Sequence, residues 1–393
     1  MKLIVKSAHR LLGCMLLVSL FSCRDSLNVE NGGSAPEETL QQYIDEVVSG
    51  NDQIQGMMVH LESPALGLSW SGASGVSDIK TGAELTPEQP FRIASVTKTF
   101  VAASILRLFE EGKLSLDDPI TKYISAEHAG ILTNGGYQPE AMTVRHLLTH
   151  TSGLFDYALG SQVYATKVKN DPGHRWTRTE QLQGAMEWGR PYAPPGKEFH
   201  YSDTGYILLG EIIEKLTDKS LALGIRDLLD FSRLGLRNTW LESLEEAPPG
   251  IPDRAHQYLN DTDIYDWDPS CDLYGGGGLA STTSDIARFY YQLFNGKVFS
   301  QPSTLDTMLE KTKFPEGQQP SKQDYRMGIE LINIYGTDAY MHTGYWGVQA
   351  VYLPKYDTAI VINFITGGNI FIIKKIISMV DSMHSGKQEA GNS

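Results

Sequence analysis

The sequence predicts an α+β fold in which one antiparallel sheet is assembled from both ends of the chain, with a helical region inserted between them. Three observations lead there. Stretches rich in β-branched and aromatic residues stand near the start, at Gly56 to Gly75, and again near the end, at Ala339 to His342, Val348 to Leu353 and Thr358 to Ile365. The middle, from about Lys113 to Ser270, has short helical runs broken by Pro194-Pro195-Gly196 and Pro248-Pro249-Gly250. Amphipathic segments flank the strands at both ends of the chain.

In chain order, Lys2, Lys6 and Arg10 precede a mostly apolar run from Leu11 to Phe21. At about eleven residues it is shorter than the roughly 20 that a spanning helix needs, so residues 1–22 read as an export signal. The run ends in Leu20-Phe21-Ser22-Cys23, which is similar to a bacterial lipoprotein box with Cys23 as the acylated residue; an ordinary signal peptide is the other reading. Residues 23–36 read as a polar tether. The expectation is thus an exported, periplasmic or cell-surface protein that meets a membrane only through its lipid. Ser34 and Glu37 have capping-box spacing with Pro36 in the first turn, and Leu40, Tyr43, Ile44, Val47 and Val48 continue a helix to Gly50. The Gly56 to Gly75 hairpin divides at Ser63-Pro64, and a strong helix runs from about Ser95 to its stop at Gly112. The insertion spans about 113–270, a last helix covers about Ile370 to Met383, and the folded domain extends over 37–385 with 386–393 as a tail.

Among 393 residues, 41% are hydrophobic and 20% charged, ordinary values for a globular domain with a sizeable core. The net charge of -14 excludes a nucleic-acid surface, which needs clustered Lys and Arg, and serves solubility instead. With Cys14 and Cys23 in the leader, Cys271 is the single body cysteine, so an internal disulfide cannot form. Its neighbours Asp268 and Asp272 would raise a thiol pKa, which reads as a bystander rather than a nucleophile.

Ser95-Val96-Thr97-Lys98 sets a hydroxyl and an amine three residues apart, on one side of a helix. A serine hydroxyl needs its proton removed to act as a nucleophile, and a neutral lysine can take it. The helix N-terminus at Ser95 would favour developing negative charge. Alone, the pair equally suits an N-capping serine beside a solvated lysine. Two further segments keep it company. Tyr201-Ser202-Asp203 precedes an apolar helix (Tyr206, Leu209, Ile213, Leu216), and His342-Thr343-Gly344 ends a late strand.

Together these resemble the three active-site motifs of the serine penicillin-recognising enzymes, most closely the class C β-lactamase-like branch of β-lactamases, D-stereospecific peptidases and esterases. The resemblance covers roughly Glu37 to Val380. It extends to Thr143-Val144-Arg145-His146-Leu147-Leu148-Thr149-His150-Thr151-Ser152-Gly153-Leu154, to Pro195 through Ser202, to Gly205 through Gly210, and to Gly277 through Thr282. It implies a β-lactamase/transpeptidase-like antiparallel sheet flanked by helices, with an inserted all-helical subdomain. It implies that Ser95 attacks the carbonyl and is acylated, that Lys98 and Tyr201 share the base and acid work, and that the backbone N–H groups of Ser95 and Tyr345 form an oxyanion hole. His342, Thr343 and Gly344 would line the strand edge and position substrate. A tyrosine between two cations would have a depressed pKa and a usable phenolate. No metal or organic cofactor is implied. The expected substrates are D-amino-acid peptides or cell-wall fragments, then small esters, with weak β-lactam hydrolysis or a non-catalytic binding lipoprotein as alternatives. The sequence does not indicate an oligomeric state.

Two departures stand out. The family triplet usually has asparagine where this chain has Asp203. Either the carboxylate faces Lys98 and favours the ammonium, or it caps the following helix and points away. His342 stands where β-lactamases of this branch usually carry lysine, so a fixed cation for a substrate carboxylate is less assured. Among other candidates, His146 and His150 have the spacing of a zinc pair, but Leu147 replaces the needed glutamate, and both read as packing and hydrogen-bonding histidines. Gly275 to Gly278 lacks the lysine of a phosphate loop and reads as a cleft-lining turn.

Overall fold

Strands from the two ends of the chain pair with each other in the middle of the principal sheet. In the computed structural model, which describes residues 35–314, 321, 323–368 and 370–391, Gly56–Ser63 lies antiparallel to Thr358–Phe364, with Met57 opposite Phe364 and His60 opposite Val361. Leu68–Asp78 and Ala83–Glu84 extend the sheet on one side; Val348–Leu353, Thr337–Gly344, Glu330–Ile334 and Asp324–Tyr325 extend it on the other. The first hairpin divides where expected, at a turn over Pro64–Leu66 closed by Gly67 at φ +71°. The segment 1–34, with the expected export signal, Cys23 and most of the tether, lies outside the described residues.

Alternation along the strands serves two cores, as period-two geometry requires. Met57, Val59 and Leu61 pack with Leu40 and Ile44 of the Pro36–Ser49 helix and with Ile373, Ile376 and Ile377 of the last helix. Met58, Ala350 and Val361 face the opposite way, into a larger core shared with the helical region. At the centre of that core the Thr97–Glu110 helix is buried on nearly every face from Thr97 to Leu106. Phe100 stacks on Phe289 with ring centroids 3.8 Å apart, which fixes the helix against Thr283–Phe294. The helix stops at Gly112, φ +69°, as expected.

The inserted region is not wholly helical. Alongside helices such as Gln162–Asn170, Arg178–Trp188, Asp203–Thr217 and Leu221–Leu229, it contributes Trp240–Leu241 to a small sheet with Leu279–Ser281 and Phe91–Arg92, and a two-stranded Tyr258–Asp263 hairpin. Strands of two residues carry no period that a sequence pattern can reveal. They are held instead by side chains: the buried Arg92 guanidinium donates to Glu242 and to the carbonyls of Ile264 and Trp267. Gln257 bonds both the N–H and the C=O of Arg92 and also the carbonyl of Trp346. The last helix also differs from expectation. It runs Ile370–Gly391, past Met383 and through most of the segment read as a tail, where Lys387, Gln388, Glu389 and Ala390 are good helix formers.

Candidate active site

Ser95 sits in a tight turn, Ala94–Val96, that leads directly into the Thr97–Glu110 helix. Ala94 is held at φ +46°, a left-handed conformation that a residue with a Cβ rarely adopts, and this places local strain immediately before the hydroxyl. Lys98, in the first helical turn, is fully buried. Its Nζ lies 2.9 Å from Ser95 Oγ and 2.5 Å from the carbonyl oxygen of Gly276, and forms an ion pair with Asp203. Three contacts match the three protons of an ammonium. A neutral amine in the same place donates to Gly276 and Asp203 and turns its lone pair toward Ser95 Oγ, the arrangement a general base requires.

Asp203 therefore faces Lys98. It opens the Asp203–Thr217 helix, but the N-cap position belongs to Ser202, which makes no side-chain capping bond. The Asp203 N–H is accepted instead by Asp156 Oδ1 at 3.2 Å. The glycine run explains itself around the same cluster. A Cβ on Gly276 would stand 3.1 Å from Asp203 Oδ1, and one on Gly277 would meet Asp272 Oδ1 at 2.3 Å. Side-chain-free backbone passes between two carboxylates there and presents a carbonyl to Lys98. The run lines the buried back of the site, whereas the sequence placed it on the cleft.

Tyr201 precedes that helix, with Lys98 Nζ 5.1 Å from its ring centroid and a hydrogen bond to Ser95. Burial, and then the Asp203 carboxylate, push its phenol well above the ordinary range; the hydrogen bond to Ser95 opposes this only in part. The depressed phenolate expected from the sequence is overturned, because desolvation and a facing anion outweigh the nearby lysine. Tyr201 is a neutral hydroxyl here, able to pass a proton rather than to hold a charge.

His342, Thr343 and Gly344 end the Thr337–Gly344 strand beside Ser95, and Tyr345 follows them. A Cβ on Gly344 would meet the carbonyl oxygen of Ile93 at 2.3 Å, so glycine lets the strand approach the nucleophile turn. Trp346 is tied by its indole N–H to Asp272 at 3.0 Å and through its carbonyl to Gln257, which holds the Tyr345 backbone in place. His342 is buried and is pushed down to about 3 by burial and then by Lys98. Its Nδ1 lies 2.9 Å from the carbonyl oxygen of Thr343, which can only accept, so Nδ1 carries the proton and Nε2 accepts from the Tyr325 hydroxyl at 3.0 Å. It is a neutral imidazole and supplies no cation. Ser95, Tyr201, His342, Thr343, Gly344 and Tyr345 all line one cavity of about 200 Å³.

Sequence reading missed two residues. Asp156 and Asp272 stand behind Lys98, both with carboxyls raised by burial and then by Asp203. His150, read as a packing and hydrogen-bonding histidine, lies against the Tyr201 ring with centroids 4.2 Å apart at a 34° tilt, and it bonds both neighbours of Tyr201: its carbonyl accepts from His200 N–H at 2.8 Å and its Nδ1 from Ser202 N–H at 3.1 Å. The one available signal was the position of His150 and Asp156 in and just after the Thr143–Leu154 stretch. His146 is local: its Nδ1 accepts the Thr143 N–H in a capping box. Cys271 is buried and its thiol is pushed up to about 12, in keeping with a bystander.

Burial and Asp203 push the Asp272 carboxyl up to about 7, from an ordinary value of 3.8. The native state thus keeps a proton that the unfolded chain has lost, so stability falls as pH rises from about 4 to 7. Asp272→Asn, which can still accept from Trp346, is expected to remove that slope. Urea unfolding should find it more stable than the parent at pH 8 by a few kcal/mol, at about 1.4 kcal/mol per pKa unit, and little changed at pH 4. An equal difference at both pH values would contradict this.

The profile of the Beta-lactamase family matches residues 34–369. A penicillin-binding protein of Bacillus subtilis (strain 168) is 29% identical over 295 residues, 70% of this chain and 61% of the relative, so this chain spans about three fifths of that protein. Esterase EstB of Burkholderia gladioli is 33% identical over 184 residues, 46% of this chain and 45% of the esterase. Among solved structures, the D-amino acid amidase from Ochrobactrum anthropi SV3 complexed with L-phenylalanine superposes with a TM-score of 0.72 at 25% identity, covering 90% of this chain and all of that one (100%). The family model spans the sheet, the inserted region and the site together, and the chain belongs to the Beta-lactamase family.

Proposed function

We propose that this protein is a serine hydrolase that cleaves amide or ester bonds through an acyl-Ser95 intermediate, with short D-amino-acid peptides and amides as first substrates and small esters as second. The observation that carries the reading is the 2.9 Å contact between Lys98 Nζ and Ser95 Oγ at the wall of a cavity that also exposes the strand edge. In acylation Lys98, as the neutral amine, takes the Ser95 proton while Oγ bonds to the carbonyl carbon. Ser95 and Tyr345 N–H groups receive the oxyanion, a pair of donors each worth about 3 kcal/mol in comparable sites. The bond to the leaving group then breaks, and the departing nitrogen or oxygen takes a proton from the Tyr201 hydroxyl, which Lys98 restores. Water repeats the sequence in reverse on the acyl-enzyme. The family membership and the amidase and esterase relatives support this reading.

The test is mass spectrometry of the purified protein after a fluorophosphonate or a penicillin. Wild type is expected to gain one adduct, absent in Ser95→Ala, while Tyr201→Phe retains the fluorophosphonate adduct and turns over substrate about 10² to 10⁴ times more slowly. An unlabelled wild type under both reagents would favour a binding protein that keeps the fold.

Asp203 offers a second measurement. Asparagine keeps an acceptor for Lys98 without the negative charge, so Asp203→Asn is expected to raise kcat/KM at pH 7 several-fold. A tenfold loss would instead assign the carboxylate a required part in catalysis.

We further propose export with acylation at Cys23, on the basis of the charged and apolar leader and of Leu20-Phe21-Ser22-Cys23. Cys23→Ser is expected to move the protein from the membrane fraction to the soluble one; unchanged fractionation would refute the anchor.

A further inference from the structure

Among the described residues, the cavity beside Ser95 carries formal charge of one sign. Of the eleven described residues that line it, Glu330 is the one with a formally charged side chain at neutral pH, since His342 is neutral and Lys98 lies fully buried behind the wall, paired with Asp203. Glu330 begins the Glu330–Ile334 strand opposite Met341. Residues paired across an antiparallel ladder share a face, and so do residues two apart, so Glu330, Met341 and Thr343 point to the same side. Pairing with the neighbouring strand ends at Met341, which leaves His342, Thr343 and Gly344 as open edge with Glu330 at the boundary. The carboxyl is half-buried and raised by burial and then by Asp324. Asp324 itself is paired with Arg326 at 2.8 Å, so that guanidinium is already engaged. Leu159, Met341 and Tyr325 supply the apolar part of the lining.

We propose that the site accepts acyl groups bearing a protonated amine, with Glu330 as the counter-charge, and discriminates against substrates whose recognition depends on a carboxylate. The inference rests on the hydrolase reading above and narrows its substrates to aminoacyl amides and peptides with a free N-terminal amine. A partly desolvated carboxylate with no ion-pair partner among the described residues gains a charge-assisted hydrogen bond from an ammonium and repels a carboxylate. A small cavity of about 200 Å³ suits one amino-acid residue with an apolar side chain.

The experiment measures protection of Ser95 from fluorophosphonate labelling at pH 7 by D-leucine amide and by N-acetyl-D-leucine amide, in wild type, Glu330→Gln and Glu330→Asp. The expected result is that the free amine protects wild type at a concentration about tenfold lower than the acetylated ligand. Glu330→Gln removes that preference by weakening the free amine alone, and Glu330→Asp keeps part of it. Equal protection by the two ligands, a preference for the acetylated one, no protection by either, or a Glu330→Gln variant that labels normally and keeps the preference would each overturn the proposal. Failure of wild-type Ser95 to label is a different result and overturns the hydrolase reading itself. The wild-type comparison stands even where a variant does not fold.

Discussion

A lysine side chain with no exposure to water is the constraint around which this molecule is organised. Burying an ammonium costs several kcal/mol unless its protons find acceptors, and Lys98 finds them in Ser95, Gly276 and Asp203. These lie on three segments far apart in the chain: the nucleophile turn, the glycine run and the start of the Asp203–Thr217 helix. Their convergence requires the inserted region to fold back onto the central helix, and it requires glycine at 276 and 277 so that backbone can pass between Asp203 and Asp272. The compensation is more than complete. Asp156 and Asp272 add two further carboxyls behind the lysine, and both are raised by burial and then by the Asp203 carboxylate.

The open strand edge is held to the same cluster. Asp272 accepts the Trp346 indole N–H, Gln257 binds the Trp346 carbonyl, and Gly344 packs against the Ile93 carbonyl one turn before Ser95. The two proposed oxyanion donors are therefore fixed from opposite sides by one polar network. Rigid placement of such donors is what makes them effective, because no reorganisation is needed as charge develops. His150 does the equivalent for Tyr201, bonding the residues on either side of it and packing at a tilt against its ring.

What was legible in the sequence was what is local. Ser95 and Lys98 are neighbours on one helix, Tyr201 and Asp203 flank a helix start, and the late strands carry a visible period, so fold class and motif residues could be read directly. The direction of Asp203 could not, since capping its own helix and facing Lys98 are both compatible with its position; the tie was broken by Asp156, which takes the capping role from 47 residues away. The phenolate expectation for Tyr201 failed for a related reason. Charges near a residue can be guessed from motifs, whereas its desolvation depends on everything packed around it, and desolvation is the larger effect here. Short strands tied by Arg92 and Gln257 left no periodic trace at all.

The same division separates machinery from recognition. Lys98 is enclosed and paired with Asp203, with no exposure to water in the cavity. Where related β-lactamases usually present a lysine on the strand, this chain has a histidine that burial keeps neutral and that spends both ring nitrogens on Thr343 and Tyr325. Among the described lining residues the formal charge in view is the Glu330 carboxylate, at a position outside the three motif segments. If Glu330 acts as proposed, the nucleophile and base lie on one set of elements while the sign of the charge at the cavity wall is set by a residue on the next strand.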